Sequence, residues 1–255
     1  MLNIKSLQEI YLEETRKRIK MKKKNYSYFD KTINFNFITR YLHKRKYLIT
    51  KKVLIEYPKN KKIKILDIGC GSATMYEYLS DCDLDFSYIG IEPEKDLYDV
   101  ANKNYGDNNN FSILCDVIEN NENILKESNV IIAMDSLEHM PYNNRNDIIK
   151  KISHLQDKVF LINVPNEVGP ILAIKNIGSF LMGYPRYKEY SFVESIYATL
   201  YRIDKISSHI DAHKGFDWRT LEYSLRYNFK DKVKVFTIYN FIPRFLSPSI
   251  YFKCD

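Results

Sequence analysis

Short apolar segments alternate with amphipathic segments between residues 63 and 163. The apolar segments have the length of buried strands, and the segments between them repeat apolar residues at helical spacing. The predicted strands cover residues 63–68, 87–92, 111–115, 129–134 and 158–163, and the predicted helices cover residues 73–80, 94–104, 121–127 and 143–155. Strands that alternate with helices form a parallel sheet covered on both faces, so the pattern predicts a doubly wound α/β domain.

Two further amphipathic helices are predicted before this domain. Residues 4–24 carry one apolar stripe, and residues 37–57 carry a second one that ends at Pro58. We therefore expect an N-terminal helical appendage over residues 1–57 and a main domain over residues 58–255.

The alternation stops after Pro165. Residues 166–210 contain an apolar patch followed by many tyrosines, with no recognisable strand. Because this insertion follows the carboxyl end of a strand, where open α/β sheets bind ligands, it is a candidate lid over the acceptor of a reaction. It is equally consistent with a dimer contact or a packed insert. Beyond it, a helix at 217–228 and strands at 232–239 and 248–253 predict an antiparallel C-terminal hairpin, for about seven strands in total.

Composition narrows the class of protein. The chain has 255 residues, enough for one domain of generous size with an appendage. Its four cysteines lack the spacing of a metal site, which favours a reducing cytoplasm. No apolar run reaches the length of a bilayer span, and the first residues lack the apolar core of a secretory signal. We therefore expect a cytoplasmic protein without a transmembrane segment.

The formal net charge of +7 is unevenly distributed. Residues 1–62 hold 18 Lys and Arg against 5 Asp and Glu, a net +13, and the remainder holds 21 against 27, a net −6. A basic N-terminal arm could contact RNA, a membrane surface or an anionic acceptor, but a solvated amphipathic helix explains the same charge. Nucleic acid is therefore not the expected partner.

The stretch from Ile63 to Gly71 reads as a buried strand that enters a glycine turn, after which a helix begins. Glycines let the backbone approach a ligand, and amides at the helix N-terminus face it, so this arrangement binds nucleotides. A dinucleotide site requires a third glycine where this chain has Thr74. Asp67 would repel a pyrophosphate but suits an ammonium group. These residues favour S-adenosylmethionine, which carries an ammonium group and no phosphate.

Acidic residues follow the next two strands. Glu92 lies 21 residues after Gly71, where a carboxylate can accept hydrogen bonds from both ribose hydroxyls of a nucleoside. Asp116 and the backbone amide of Val117 follow the third strand beside the same crevice, where they could contact an adenine edge. Singly, each has a structural explanation, a tight turn for a glycine and a helix N-cap for Asp116. Their combined order and spacing favour a ligand site.

Four motifs in this order resemble the class I, Rossmann-like S-adenosylmethionine-dependent methyltransferases. They are Leu66 to Gly71, Gly90 to Glu92, Cys115 with Asp116, and Asp135 to Pro141. Within that family the chain is similar to the small-molecule branch that includes ubiquinone-biosynthesis and surface-polysaccharide O-methyltransferases. The resemblance covers residues 60–165 well, weakens beyond them and is absent before residue 35. Residues 213–221 resemble the family's late segment, in which a histidine precedes a helix bordering the acceptor site.

The resemblance implies a Rossmann-like sheet, S-adenosylmethionine as cofactor, and a set of contacts to it. The two glycines of the turn would lie against the methionine portion, Asp67 would help hold the ammonium group and Glu92 the ribose. Asp116 with Val117 would contact the adenine, and Met134 would present its backbone near the methionine amine. The full cofactor-binding set is Asp67, Gly69, Cys70, Gly71, Glu92, Pro93, Asp116, Val117, Met134 and Asp135.

Two histidines are the candidate catalytic bases. Methyl transfer from a sulfonium is an in-line displacement, so the protein must mainly position the acceptor atom and exclude water. A hydroxyl acceptor also gains from a base, and His139 and His213 have the appropriate chemistry, with Glu138 able to orient His139. Each histidine is equally consistent with a structural role. A carboxylate or phosphate-type acceptor would need no base, and these histidines would then position it with Arg186, Arg202 or Arg219.

The cluster of Asp135, Glu138 and His139 also permits a divalent metal such as Mg²⁺, completed by His209 or His213. The same residues occur in metal-free relatives, so the sequence predicts no metal site.

The sequence thus predicts methyl transfer to an oxygen of a small molecule. A surface or capsular polysaccharide precursor, or its phosphate-type decoration such as a phosphoramidate, is the acceptor that the resemblance favours. The alternatives are an RNA or protein methyltransferase that uses the basic arm, an NAD enzyme or other nucleotide binder, and a non-catalytic partner protein with this fold. A homodimer is compatible with each of them.

Overall fold

The computed structural model describes residues 37–57, 62–181, 190–207, 214–239 and 241–255. They form an α/β domain built on one seven-stranded sheet. The strands are β1 (Ile63–Ile68), β2 (Phe86–Ile91), β3 (Phe111–Leu114), β4 (Val130–Met134), β5 (Val159–Pro165), β6 (Val233–Thr237) and β7 (Ser249–Cys254). The helices are α1 (Phe37–Ile55), α2 (Thr74–Ser80), α3 (Lys95–Tyr105), α4 (Glu122–Glu127), α5 (Tyr142–Ser153), α6 (Pro170–Leu181), α7 (Phe192–Thr199) and α8 (Trp218–Phe229).

The strand order is β3-β2-β1-β4-β5-β7-β6. Strands β1 to β5 pair in parallel, whereas β7 is antiparallel to both β5 and β6. This confirms the predicted doubly wound sheet, mostly parallel with an antiparallel C-terminal hairpin. Each predicted strand and helix that falls within the described residues lies within a few residues of its predicted position. Helices α6 and α7 were not predicted as helices.

The sheet separates two apolar cores because successive strand residues point to opposite faces. In β4, Ile131 and Ala133 belong to the core under α4, α5 and α8. Val130, Ile132 and Met134 belong to the other core, under α1, α2 and α3. All five residues of β4 are buried, as expected for a central parallel strand.

Helix α1 packs into the second core through Tyr47 and Leu54, which are 6% and 0% exposed. The part of the predicted appendage that the structure describes therefore contacts the sheet domain. The predicted helix at 4–24 and its basic residues lie outside the described residues, and the boundary at residue 58 remains a prediction.

The predicted insertion contains α6 and α7, which pack against each other, and a short 3-10 turn at Ile203–Lys205. No strand is present among its described residues, as expected. None of the helices in the described part of the chain is both long and apolar enough to cross a bilayer.

Candidate functional site

A cavity of about 790 Å³ opens at the carboxyl ends of the parallel strands. Its walls come from the glycine turn after β1 and from the segments that follow β2, β3 and β4. Every residue of the predicted cofactor-binding set lines it, namely Asp67, Gly69, Cys70, Gly71, Glu92, Pro93, Asp116, Val117, Met134 and Asp135. Residues so far apart in the chain meet because the ends of neighbouring parallel strands lie at one edge of the sheet.

The two glycines of the turn share a left-handed backbone but differ in what surrounds them. Both have positive φ angles, +67° at Gly69 and +57° at Gly71, which favour a residue without a Cβ. A Cβ at Gly69 would lie 2.5 Å from the Cβ of Ser136, so the β1 turn and the β4 loop are packed against each other there. A Cβ at Gly71 would meet nothing within 4 Å. Gly71 therefore leaves open space at the wall of the cavity.

Asp67 is a buried carboxyl at the floor of the cavity, 3% exposed. The hydroxyl of Tyr88 donates to its Oδ2 at 2.6 Å, and its Oδ1 accepts no hydrogen bond from the described residues. Burial raises the pKa of Asp67 to about 7, although the Tyr88 hydrogen bond opposes that shift. A buried acceptor without a donor is costly, so this site fits a ligand that supplies a positive hydrogen-bond donor, such as an ammonium group.

Glu92 links the end of β2 to the glycine turn. Its Oε2 accepts from the Gly71 amide at 2.7 Å, and its Oε1 accepts from the Glu94 amide at 2.9 Å. Burial raises the pKa of this carboxyl above its ordinary value, against the effect of the two amides. A carboxylate has about four acceptor positions, and the two amides occupy two of those of Glu92. The other positions can accept hydrogen bonds from the ribose hydroxyls predicted to bind here.

Asp116 organises the loop after β3. Its Oδ1 accepts from the Val117 amide and from the Asn120 side chain, both at 2.7 Å, and its Oδ2 accepts from Asn121 at 2.9 Å. These bonds, that of the Val117 amide first, lower the pKa of Asp116. The two groups predicted to contact adenine thus bond to each other. Asp116 is not a helix N-cap, because the 3-10 turn that follows begins after Val117 and has no side-chain cap.

The β4 loop is held by residues that sequence reasoning missed. Asp135 has a left-handed backbone, with φ of 53°, and its amide donates to the Asn163 carbonyl of β5 at 2.9 Å. Its carboxylate forms an ion pair with Lys46 of α1, whose side chain is 3% exposed. Burial alone would lower the pKa of Lys46, but its interactions with Asp135, Tyr47 and Glu138 together outweigh burial and raise it. Lys46 therefore remains charged and ties α1 to the cavity.

Tyr47, the next residue of α1, also lines the cavity. Its ring stacks on that of Tyr78 at 5.3 Å between centroids, and burial raises its pKa to about 12. The phenol is therefore a hydrogen-bond donor at neutral pH. No local pattern assigns Tyr47 to the site or distinguishes Lys46 from the other lysines of a basic helix. Only the tertiary packing of α1 identifies both residues.

Of the predicted catalytic residues, His139 lines the cavity, with its side chain 40% exposed. The Glu138 side chain is fully buried, and its Oε1 lies 4.0 Å from His139 Nε2. That separation is too long for a direct hydrogen bond but short enough for electrostatic influence. His213 lies outside the described residues, so its role as a base remains a prediction.

The arginines proposed to position an anionic acceptor are engaged elsewhere or not described. Arg202 forms a two-point pair with Asp204, and Arg219 forms one with Asp217 while stacking over the Tyr201 ring at 4.3 Å. Arg186 lies outside the described residues.

No group of three or more His, Cys, Asp or Glu side chains suited to a metal ion occurs among the described residues. His209 and His213, which would complete the metal cluster considered from the sequence, fall outside them.

The chain is similar to methyltransferases in part of its sequence and in its fold. Residues 65–157 match the family model described as a methyltransferase domain. No curated protein matches the chain. Among solved structures, the methyltransferase domain of the bacterial protein CtHen1-CN has a TM-score of 0.58 at 13% identity, over 84% of this chain and 98% of that one.

Two other similar structures are also methyltransferases. The plantazolicin methyltransferase BpumL, in complex with SAH, has a TM-score of 0.54 at 18% identity, over 85% of this chain and 84% of that one. The CurJ carbon methyltransferase has a TM-score of 0.53 at 13% identity, over 82% of this chain and 53% of that one. At these identities the likeness shows the fold, which is the predicted Rossmann-like one. The domain match indicates S-adenosylmethionine as the methyl donor, as expected.

Proposed function

We propose that this chain is a class I methyltransferase that transfers the methyl group of S-adenosylmethionine to an oxygen of a small molecule. One observation carries the proposal. The buried Asp67 carboxyl, with an unsatisfied oxygen, shares a single cavity with the glycine turn and with Glu92, in a domain that matches the methyltransferase family model.

The residues fit the donor in charge and in space. Asp67 would hold the ammonium group, Glu92 the ribose hydroxyls, and the loop of Asp116 and Val117 the adenine. Bound there, S-adenosylmethionine supplies an electrophilic methyl group on a sulfonium. The described lining contains six carboxylates and neither lysine nor arginine, a field that favours a cationic ligand. The acids are Asp67, Glu92, Glu94, Asp116, Glu119 and Asp135.

The same charge balance supports a neutral hydroxyl as acceptor over a phosphate-type oxygen. An anionic acceptor would meet carboxylates, since the described lining has no lysine or arginine and Lys46, which lies outside it, is paired with Asp135. A hydroxyl loses its proton during transfer, and His139 is the group on the lining suited to accept it. A sugar hydroxyl of a surface-polysaccharide precursor meets this description.

Calorimetric titration with S-adenosylhomocysteine tests donor binding without knowledge of the acceptor. The wild type should bind, and Glu92→Ala should bind much more weakly because it loses both the ribose acceptor and the anchor of the Gly71 amide. Glu127→Ala, which removes an exposed carboxylate on α4 outside the cavity, is the matched control. Failure of the wild type to bind would overturn the methyltransferase proposal.

Transfer of a labelled methyl group tests the acceptor class. Neutral glycans with free hydroxyls should become labelled, and His139→Gln should reduce labelling while it preserves S-adenosylhomocysteine affinity. Preferential labelling of RNA or protein would replace the small-molecule acceptor and support a role for the basic arm. Donor binding without labelling of any acceptor class would favour a non-catalytic partner protein.

A further inference from the structure

The insertion helices α6 and α7 have the opposite polarity arrangement from ordinary surface helices. Among the residues of these helices whose exposure is described, every exposed one is apolar. Ordinary surface helices turn charged residues to solvent and apolar residues to the core. We name the outward surface the α6/α7 apolar face; it consists of Ile174, Ile177, Phe180, Phe192, Val193, Ile196 and the adjoining Leu200, which are between 44% and 80% exposed.

The charged residues of the two helices are turned inward and paired. Lys175, the one charged residue of α6, pairs with the buried Glu167 at 2.9 Å. Glu194, the one charged residue of α7, pairs with Lys214 at 2.8 Å. Asn176 of α6 donates to Ser195 of α7 at 3.2 Å, which fixes the two helices to each other. These contacts hold the polar side chains inside and the apolar ones outside.

Charge is depleted on these helices relative to the chain. Charged residues make up 28% of the whole sequence but only two of the 20 positions in α6 and α7, which have 12 and 8 residues. From their exposed fractions, the seven residues of the apolar face together expose an area on the order of 900 Å², against about 300–600 Å² for the largest apolar patch of a typical monomer. That area matches the roughly 800 Å² that each partner contributes to a standard protein interface.

We propose that the α6/α7 apolar face is the interface of a symmetric homodimer, covered by the same face of a second copy of this chain. An apolar and uncharged patch is complementary to itself, as a two-fold interface requires, and homodimer interfaces are more apolar than transient ones. A membrane surface is a poorer occupant, because interfacial helices carry exposed lysines and arginines for anionic lipids. The only lysine of α6 and α7 is 18% exposed and already paired. This inference does not depend on the acceptor or on catalysis.

Sedimentation velocity of the full chain over a wide range of concentration tests the interface. The wild type should sediment at twice the 30.3 kDa mass of the chain. Ile177→Asp and Phe180→Asp should each shift it to the monomer, because each would bury a carboxylate against apolar side chains. The matched control is Tyr223→Asp on α8. Tyr223 is also an exposed aromatic residue, 73% accessible, but it lies outside the α6/α7 apolar face, so this variant should remain a dimer. Because the three substituted residues are exposed, each variant should fold as the wild type does, and circular dichroism checks this.

Each other outcome overturns the proposal. A wild type that is monomeric at every concentration has no such interface, and a dimer that survives both aspartate variants is built on another surface. A monomer that floats with phosphatidylcholine and phosphatidylglycerol vesicles, and loses this ability in Ile177→Asp, would assign the face to a lipid surface instead.

Discussion

Asp67 should make donor affinity depend on pH. Its carboxyl is 3% exposed, and burial raises its pKa to about 7. In the ligand-free protein about one Asp67 in eleven is then ionised at pH 6, and about half at pH 7. An ammonium ligand pairs with the ionised form, so binding draws Asp67 to that form and releases a proton.

The affinity for S-adenosylhomocysteine should therefore rise about fivefold from pH 6 to pH 7, or about 1 kcal/mol. The ligand's own α-amino group lies beside a free carboxylate and is more basic than a peptide N-terminus, whose pKa is about 7.7–8.0, so it remains protonated over this range. Calorimetry at a series of pH values measures the rise directly. Calorimetry in buffers of different ionisation enthalpy counts the protons released on binding. Asp67→Asn should abolish both the rise in affinity and the proton release.

Tyr88 provides a sharper test of the same reasoning. Its hydroxyl donates to Asp67 and lowers the Asp67 pKa, so Tyr88→Phe should move the rise in affinity to higher pH. Tyr76→Phe is the matched control, because it removes a neighbouring phenol that bonds to Asn110 instead. A wild-type affinity that is flat or falls between pH 6 and pH 7, or a Tyr88→Phe rise at lower pH, would refute the argument.

Folding stability of the ligand-free protein should follow the opposite course. The raised pKa means that, between the ordinary Asp value near 4 and about 7, the folded state keeps a proton that the unfolded state releases. Stability should therefore fall as pH rises through this window, and bound ligand should remove the fall.

Two further predictions concern the frame of the cavity. Gly69→Ala should lower the free energy of unfolding, measured by thermal unfolding, by more than about 3 kcal/mol, because left-handed strain adds to a clash with Ser136. Gly71→Ala should cost only about 1–2 kcal/mol, because it adds strain without a clash. Equal losses in the two variants would contradict the difference in their surroundings. Lys46→Met should cost about 1–3 kcal/mol in urea unfolding because it removes the counter-ion of Asp135, which is 22% exposed. Adding Asp135→Asn should recover most of that loss, and no recovery would show that the ion pair is not its cause.

Residues that follow local patterns were predictable from the sequence. The apolar runs of the central strands predicted the fold. The glycine turn and the acidic residues that follow these strands predicted the cofactor-binding set at the strand ends. Lys46 was not predictable, because its burial depends on how α1 packs and its partner lies 89 residues away. The sequence suggested a helix N-cap for Asp116, and its actual bonds to the Val117 amide and to two asparagine side chains depend on the loop conformation. The outward apolar face of α6 and α7 was visible as a patch, but its direction depends on inward pairs such as Lys175 with Glu167.

The position of β7 limits when the C-terminal edge of the sheet can form. Strand β6 precedes β7 in the chain but reaches the sheet only through it, so β6 has no partner until β7 has inserted beside β5. The Asn163 side chain donates to the Ile250 carbonyl of β7, and the Asn163 carbonyl receives the Asp135 amide at the cavity. This pairing closes a loop of nearly ninety residues, a slow step for a folding chain. We therefore expect β6 to join the sheet late in folding, only after β7 has paired with β5.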